Sequence, residues 1–110
     1  MINWIDLQED LQLEKILADS THTPQVIYKH STRCSVSSMI KGRLDRQEVP
    51  DHISFYYLDL IAHRNLSNKV AHDFGVRHES PQVLVIVGGK CVYNESHSSI
   101  YMEDIAAAAG

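Results

Sequence analysis

Hydrophobic and polar residues form two patterns that alternate along this chain. Short apolar runs rich in β-branched and aromatic residues are typical of strands, whereas apolar residues three or four positions apart are typical of helices. The runs predict strands at 25–30, 53–59, 82–87 and 90–94. Gly88 and Gly89 separate the last two strands and predict a tight hairpin turn.

Helices are predicted before the first strand, between the strands and after the hairpin. The first begins near Asp6, an N-cap residue whose capping-box partner would be Glu9. The second covers about 34–47, and Ser31 or Thr32 is its predicted cap. Each of these helices presents an apolar side at helical spacing, so both should pack on a sheet.

The third helix carries Leu66, Val70 and Phe74 four positions apart and ends at Gly75. The last helix begins near 98–99 and runs into the alanines at the end of the chain. A strand-helix-strand unit requires a right-handed crossover between parallel strands, and the hairpin adds an antiparallel pair. We therefore expect an α/β fold. It has a four-stranded mixed sheet, helices on both faces, an extra N-terminal helix, and the first core strand between the second and third.

The length and charge of the chain limit what it can do. A chain of 110 residues has room for a single domain, which we expect to cover 1–110. The net charge is -4 and no basic stretch occurs, which argues against binding to nucleic acid or to an anionic membrane. The first residues lack the basic and apolar regions of a signal peptide, and the longest clean apolar run, 83–87, is too short to cross a bilayer. We expect a cytoplasmic protein whose cysteines rest as thiols.

Cys34 is the strongest candidate for chemistry, because it lies between a predicted strand and a predicted helix. A thiolate is the reactive form of cysteine, and the partial positive charge of a helix N-terminus favours an anion. Arg33 adds a cation beside it, and the Ser37 hydroxyl, one turn along, could donate a hydrogen bond to the sulfur. His30 is a more distant candidate for contact with the thiol. The alternative is that Cys34 is an inert, small apolar residue.

Other candidate groups are weaker. Cys91 could resolve a mixed disulfide on Cys34 only if the two sulfurs approach, and the proposed sheet puts them on different strands. The seven histidines are scattered without metal-ligand spacing, so we expect no metal and see no cofactor signal. Ser80 and Pro81 precede the third strand, where a trans proline opening an edge strand is the ordinary interpretation.

Three segments together resemble the monothiol bacilliredoxins, the YtxJ-like family of bacillithiol-system redox proteins with a thioredoxin-like fold. The segments are 28–37, 57–60 and 78–83, and the resemblance covers nearly the whole chain. The Lys-His-Ser-Thr stretch that leads into Cys-x-x-Ser is the specific part. Members often have Thr-Cys-Pro where this chain has Arg33, Cys34 and Ser35, a departure that bears on the preferred small thiol.

The resemblance implies a role for each site residue. Cys34 would be the attacking thiol, Ser37 would occupy the absent resolving position, and Pro81 would be a cis-proline beside the thiol. The Ser80 backbone would then pair with an extended substrate chain, and Arg33 would bind a carboxylate of the small thiol.

The implied function is a monothiol thiol-disulfide oxidoreductase that removes bacillithiol from mixed disulfides with client proteins. Its partners would be these bacillithiolated clients and bacillithiol itself, with no cofactor, nucleic acid or membrane. Glutathione or coenzyme A would replace bacillithiol in a source that lacks it. The alternatives are a non-catalytic binding or stress-response module with this fold, and a redox sensor whose cysteine is capped by a small thiol.

Overall fold

The computed structural model of the protein describes residues 2–110, so Met1, the first residue of the predicted domain, lies outside the described residues. Strands and helices alternate from the start of the chain. In chain order they are β1 Trp4–Asp6, α1 Asp10–Asp19, β2 Gln25–His30, α2 Ser35–Asp45, β3 Ser54–Asp59, α3 Arg64–Phe74, β4 Gln82–Val87, β5 Lys90–Ser96, a 3-10 turn His97–Ser99 and α4 Met102–Ala109.

The strands form one mixed sheet in the order β1-β3-β2-β4-β5. Strands β1 and β2 run parallel to β3, whereas β4 is antiparallel to β2 and β5 is antiparallel to β4. The predicted position of the first core strand, between the second and the third, is confirmed. The carboxyl ends of β2 and β3 therefore lie at the same end of the sheet as the start of β4.

The predicted count of four strands is wrong, because β1 adds a fifth at the edge. This strand has only three residues, two of them exposed, so it leaves no apolar run in the sequence. Pairing with β3 holds it, and the Trp4 indole Nε1 donates a hydrogen bond of 2.6 Å to Asp45 Oδ1 on α2. The N-terminal addition is thus a strand and a helix rather than a helix alone.

Two predicted helix caps are also wrong. Asp6 lies in β1, and α1 is capped by Glu9, which forms a capping box with Gln12. Helix α2 begins at Ser35 with Cys34 as its N-cap, later than a Ser31 or Thr32 cap would place it. The predicted end of α3 is confirmed, since Gly75 is left-handed with φ 64° and its N–H bonds to the last turn.

Apolar side chains cover both faces of the sheet, as predicted. On one face α1 and α3 contribute Leu13, Ile16, Leu66 and Val70 to a core that includes Ile27 and Leu84. On the other face α2 and α4 contribute Ile40, Leu44 and Ile105 to a core with Val26 and Val85. Every residue of β2 is buried, because it is the central strand and is covered on both sides. This strand carries the candidate site at its carboxyl end.

Candidate active site

Cys34 occupies the N-cap position of α2, with extended backbone angles of φ -111° and ψ 118°. Its backbone N–H donates to Ser31 O at 3.2 Å, and its carbonyl accepts from the Ser38 N–H at 3.1 Å. The thiol is free and partly exposed. It therefore lies at the end of the helix where unpaired N–H groups favour a negative charge, and solvent can reach it.

The Ser37 hydroxyl is fully buried and has partners other than the sulfur. Its oxygen accepts a hydrogen bond from the Ser31 N–H at 3.1 Å and lies 2.6 Å from His30 Nδ1. The Tyr28 hydroxyl donates to the Ser37 backbone carbonyl at 2.9 Å. These contacts join the end of β2 to the first turn of α2, so Ser37 fixes the turn that carries Cys34.

His30 is buried at the carboxyl end of β2, beside Ser37. Burial lowers the pKa of His30 below its ordinary value, and the Lys41 cation lowers it further, against a smaller opposing effect of Asp59. The Ser37 hydroxyl accepts from the Ser31 N–H and shares a second hydrogen bond with His30 Nδ1. From the sequence, His30 was only a more distant candidate for contact with the thiol, and its hydrogen bond in the structure goes to Ser37.

Arg33 is exposed in the turn between β2 and α2. Its backbone N–H donates to Ser31 Oγ at 3.3 Å. Within residues 2–110 its guanidinium forms no ion pair.

Ser80 and Pro81 lie at the same end of the sheet as Cys34. The pair Lys29 and Gln82 is in register between β2 and β4, so Pro81 comes beside the end of β2. The Ser80–Pro81 peptide bond is cis, as predicted. The Pro81 carbonyl accepts from the His97 N–H at 2.9 Å, whereas the Ser80 N–H and C=O have no hydrogen-bond partner among the described residues.

Cys91 lies at the opposite end of the sheet from Cys34. It pairs with Ile86 on β4, and Ile86 pairs with Gln25 at the start of β2. The five residue steps along β2 correspond to about 16 Å, whereas a disulfide tolerates Cα atoms about 7 Å apart. Burial raises the pKa of the Cys91 thiol, which donates a hydrogen bond to Tyr93 O at 3.2 Å.

One buried group was not anticipated as part of the site. Lys29 has no exposed surface, and its Nζ donates to Ser67 O at 3.0 Å and lies 3.2 Å from His78 Nδ1. The sequence carried a signal for it, since a lysine inside an otherwise apolar strand needs polar partners if both faces are covered.

The remaining features are a cleft away from Cys34 and the lack, among the described residues, of a metal-binding cluster or a membrane-spanning helix. An open cleft of about 670 Å³ lies between the end of α2 and α4, away from the helix end that carries Cys34. In the described part of the chain, no cluster of His, Cys, Asp or Glu side chains could hold a metal ion. No helix over residues 2–110 is long and apolar enough to cross a membrane.

A mixed sheet with this strand order, a helix-capping cysteine and a neighbouring cis-proline define a thiol redox protein of the thioredoxin fold. The model of one family, described as monothiol bacilliredoxin BrxC, matches residues 5–105. The chain therefore belongs to the monothiol bacilliredoxin family, as its motifs indicated.

Solved structures share this fold. One described as an oxidoreductase with a thioredoxin fold is 28% identical, with a TM-score of 0.83 over 97% of this chain and 94% of the other. Thioredoxin from Trypanosoma brucei brucei is 14% identical, with a TM-score of 0.75 over 96% of this chain and 87% of that one. Thioredoxin f from spinach chloroplast is 17% identical, with a TM-score of 0.72 over 97% and 94% of the two chains. At these low identities the two thioredoxins show the fold alone.

Proposed function

We propose that this protein removes bacillithiol from mixed disulfides with client proteins, using Cys34 as its single reactive thiol. The observation that carries the proposal is the position of Cys34, partly exposed at the N-cap of α2, with a serine hydroxyl and no thiol one turn along. Such chemistry needs a reduced thiol pool, so the proposal includes a cytoplasmic location.

The reaction is a pair of thiol-disulfide exchanges. The Cys34 thiolate attacks the bacillithiol sulfur, a new S–S bond forms to Cys34, and the client sulfur leaves as a thiolate. A second bacillithiol thiolate then attacks the bacillithiol sulfur on Cys34 and releases bacillithiol disulfide and the Cys34 thiolate. Each step breaks one S–S bond and makes one, so no other oxidant or reductant is needed.

The absence of a second thiol at the site determines how the reaction proceeds. Ser37 cannot displace bacillithiol from Cys34, and the register places Cys91 at the far end of β2. The adduct on Cys34 must therefore wait for an external thiol. This order of events is what distinguishes a monothiol exchange from a dithiol one.

The remaining site residues bind the two partners in this proposal. The open N–H and C=O of Ser80 would pair with the client backbone in the manner of an added strand, and Pro81 would bring that chain beside the sulfur. The guanidinium of Arg33 would hold a carboxylate of bacillithiol. Ser37 would keep the turn that carries Cys34 in place.

The test is transfer of bacillithiol from a bacillithiolated model peptide, followed by mass spectrometry. The wild type should gain one bacillithiol on Cys34 while the peptide thiol is released. Cys34→Ala should show no transfer, and the matched variant Cys91→Ala should behave as the wild type. Transfer by Cys34→Ala would refute the mechanism. No transfer from bacillithiol, glutathione or coenzyme A mixed disulfides would favour the non-catalytic binding module, and rapid capping without turnover would favour the sensor.

A further inference from the structure

Lys29 is a buried cation in the central strand, and within residues 2–110 it forms no ion pair with a carboxylate. Its Nζ instead donates to the Ser67 carbonyl at 3.0 Å and lies 3.2 Å from His78 Nδ1. Burial lowers the pKa of Lys29 to about 8. An ammonium group buried with only neutral partners is costly, so its few hydrogen bonds should be tightly maintained.

The side chains of Lys29 and Ser67 converge on one nitrogen atom of His78. Ser67 Oγ lies 3.3 Å from His78 Nδ1, the same atom that faces Lys29 Nζ. An ammonium group can only donate, so His78 Nδ1 is an unprotonated acceptor and the ring hydrogen resides on Nε2. His78 is therefore held from the central strand by Lys29 and from α3 by Ser67.

The loop that carries His78 is also held at a second point. Gln82 is the cross-strand neighbour of Lys29, and its Nε2 donates to the Arg77 carbonyl at 2.9 Å. Side chains from two paired strand positions thus hold two consecutive residues, Arg77 and His78, of the segment between α3 and β4. Ser80 follows His78 after a single residue, so its backbone orientation depends on where His78 lies.

We propose that Lys29 is a positioning residue for the exchange reaction, because it fixes His78 and thereby presents the Ser80 backbone to the client chain. The inference rests on the proposed function, in which Ser80 binds the client. Lys29 lies on the sheet face that carries α1 and α3, whereas Tyr28 next to it bonds to Ser37 on α2. Removal of Lys29 should therefore weaken client binding and leave the chemistry of the thiol unchanged.

Protonation of His78 should have the same effect as loss of Lys29. The charged groups that bear on the His78 ring are Lys29 from β2, Arg64 from α3 and Glu79 beside it. Burial, Lys29 and Arg64 lower the pKa of His78, against the opposing Glu79 carboxylate. The neutral ring that accepts from Lys29 is present above that pKa. As the pH falls through it, a proton on Nδ1 would oppose the ammonium group and release the loop.

The test compares Lys29→Met, His78→Ala and His78→Asn with the exposed-lysine control Lys90→Met. Exchange with a bacillithiolated peptide gives KM and kcat, and reaction of Cys34 with a small aromatic disulfide gives its intrinsic reactivity. Lys29→Met and His78→Ala should raise KM about fivefold, the equivalent of about one hydrogen bond, with the small-disulfide rate unchanged. His78→Asn should restore KM, because its Oδ1 can accept from Lys29, and should remove the rise of KM at acidic pH.

A second measurement keeps the inference testable without turnover. Proton NMR should show a higher pKa for His78 in Lys29→Met than in Lys90→Met, together with a shifted Ser80 amide resonance. Failure of the wild type to exchange with any peptide would refute the proposed function, and the two NMR observations would still decide the positioning role. An unchanged KM and an unchanged Ser80 amide in Lys29→Met would overturn the inference. If Lys29→Met fails to fold, the contrast between His78→Ala and His78→Asn decides it.

Discussion

His30 Nδ1 and Ser37 Oγ lie 2.6 Å apart, which joins the last residue of the central strand to the first turn of α2. Ser37 occupies the position in which a dithiol protein would carry its second thiol. Here its hydroxyl faces inward, to His30 and the Ser31 N–H, while Cys34 remains partly exposed at the helix start. The residue at the resolving position therefore stabilises the active turn and makes no hydrogen bond to the sulfur in this structure.

Ser37→Ala should destabilise the protein. The substitution leaves the Ser31 N–H and His30 Nδ1 buried without their partner, which costs about 1–3 kcal/mol in the free energy of unfolding. Urea denaturation measures the change. Ser38→Ala, one position along on the exposed side of α2, is the matched control and should change little. Equal losses of unfolding free energy in the two variants would show that the Ser37 hydroxyl contacts do not stabilise the protein.

Ser37→Cys should convert the protein to a dithiol form. A sulfur one turn from Cys34 can attack the bacillithiolated Cys34 and release bacillithiol, with a disulfide between the two positions as product. Mass spectrometry should show a loss of two hydrogens in place of a lasting adduct. The double variant Cys34→Ala with Ser37→Cys is the control and should form no internal disulfide. A stable adduct on Cys34 in the single variant would mean that position 37 cannot reach it.

Arg33→Gln should reduce discrimination between small disulfides. The exposed guanidinium favours a carboxylate-bearing thiol over a neutral one, and an exposed ion pair of this kind changes the rate ratio by about two- to fivefold. Rates with a charged and a neutral disulfide, at low and high salt, measure it. Arg46→Gln removes an exposed arginine at the other end of α2 and should leave the ratio unchanged. An unchanged ratio of the two rates in Arg33→Gln would show that Arg33 does not bind the small thiol.

Alkylation should distinguish the two cysteines. Burial raises the pKa of Cys91, so its thiolate fraction near pH 8 is smaller than that of an ordinary thiol. Iodoacetamide should therefore label Cys34 before Cys91, and Cys91 should react faster once denaturant is added. Peptide mapping reads out the order. Labelling of Cys91 at the same rate as Cys34 in the folded protein would contradict the burial argument.

The sequence predicted the central strands well and the edge strand not at all. Strands β2 and β4 are apolar runs because helices cover both of their faces, so their pattern is local and plain. Strand β1 depends on its pairing with β3 and on the bond from Trp4 to Asp45, which are contacts distant in sequence. No pattern within its three residues, two of which are exposed, could have revealed it.

The site was predicted in outline and not in its hydrogen bonds. The cysteine between strand and helix followed from the local pattern, whereas the cis bond before Pro81 followed only from the family resemblance. The helix cap was misplaced because Ser31, a good capping residue by type, is buried and accepts from the Arg33 N–H. The inward direction of the Ser37 hydroxyl depends on where His30 lies across the sheet–helix interface, which sequence spacing does not specify.

The Trp4 indole, which is hydrogen-bonded to Asp45 on α2, is an intrinsic fluorescence probe of the position of that helix. Trp4 is the single tryptophan, and its ring lies 5.8 Å from that of Tyr28. Tyr28 in turn donates to the Ser37 carbonyl in the first turn of α2. Any shift of α2 that accompanies adduct formation on Cys34 would reach the indole through these contacts. Intrinsic fluorescence in a stopped-flow instrument can therefore follow such a shift in real time, without a label on either thiol.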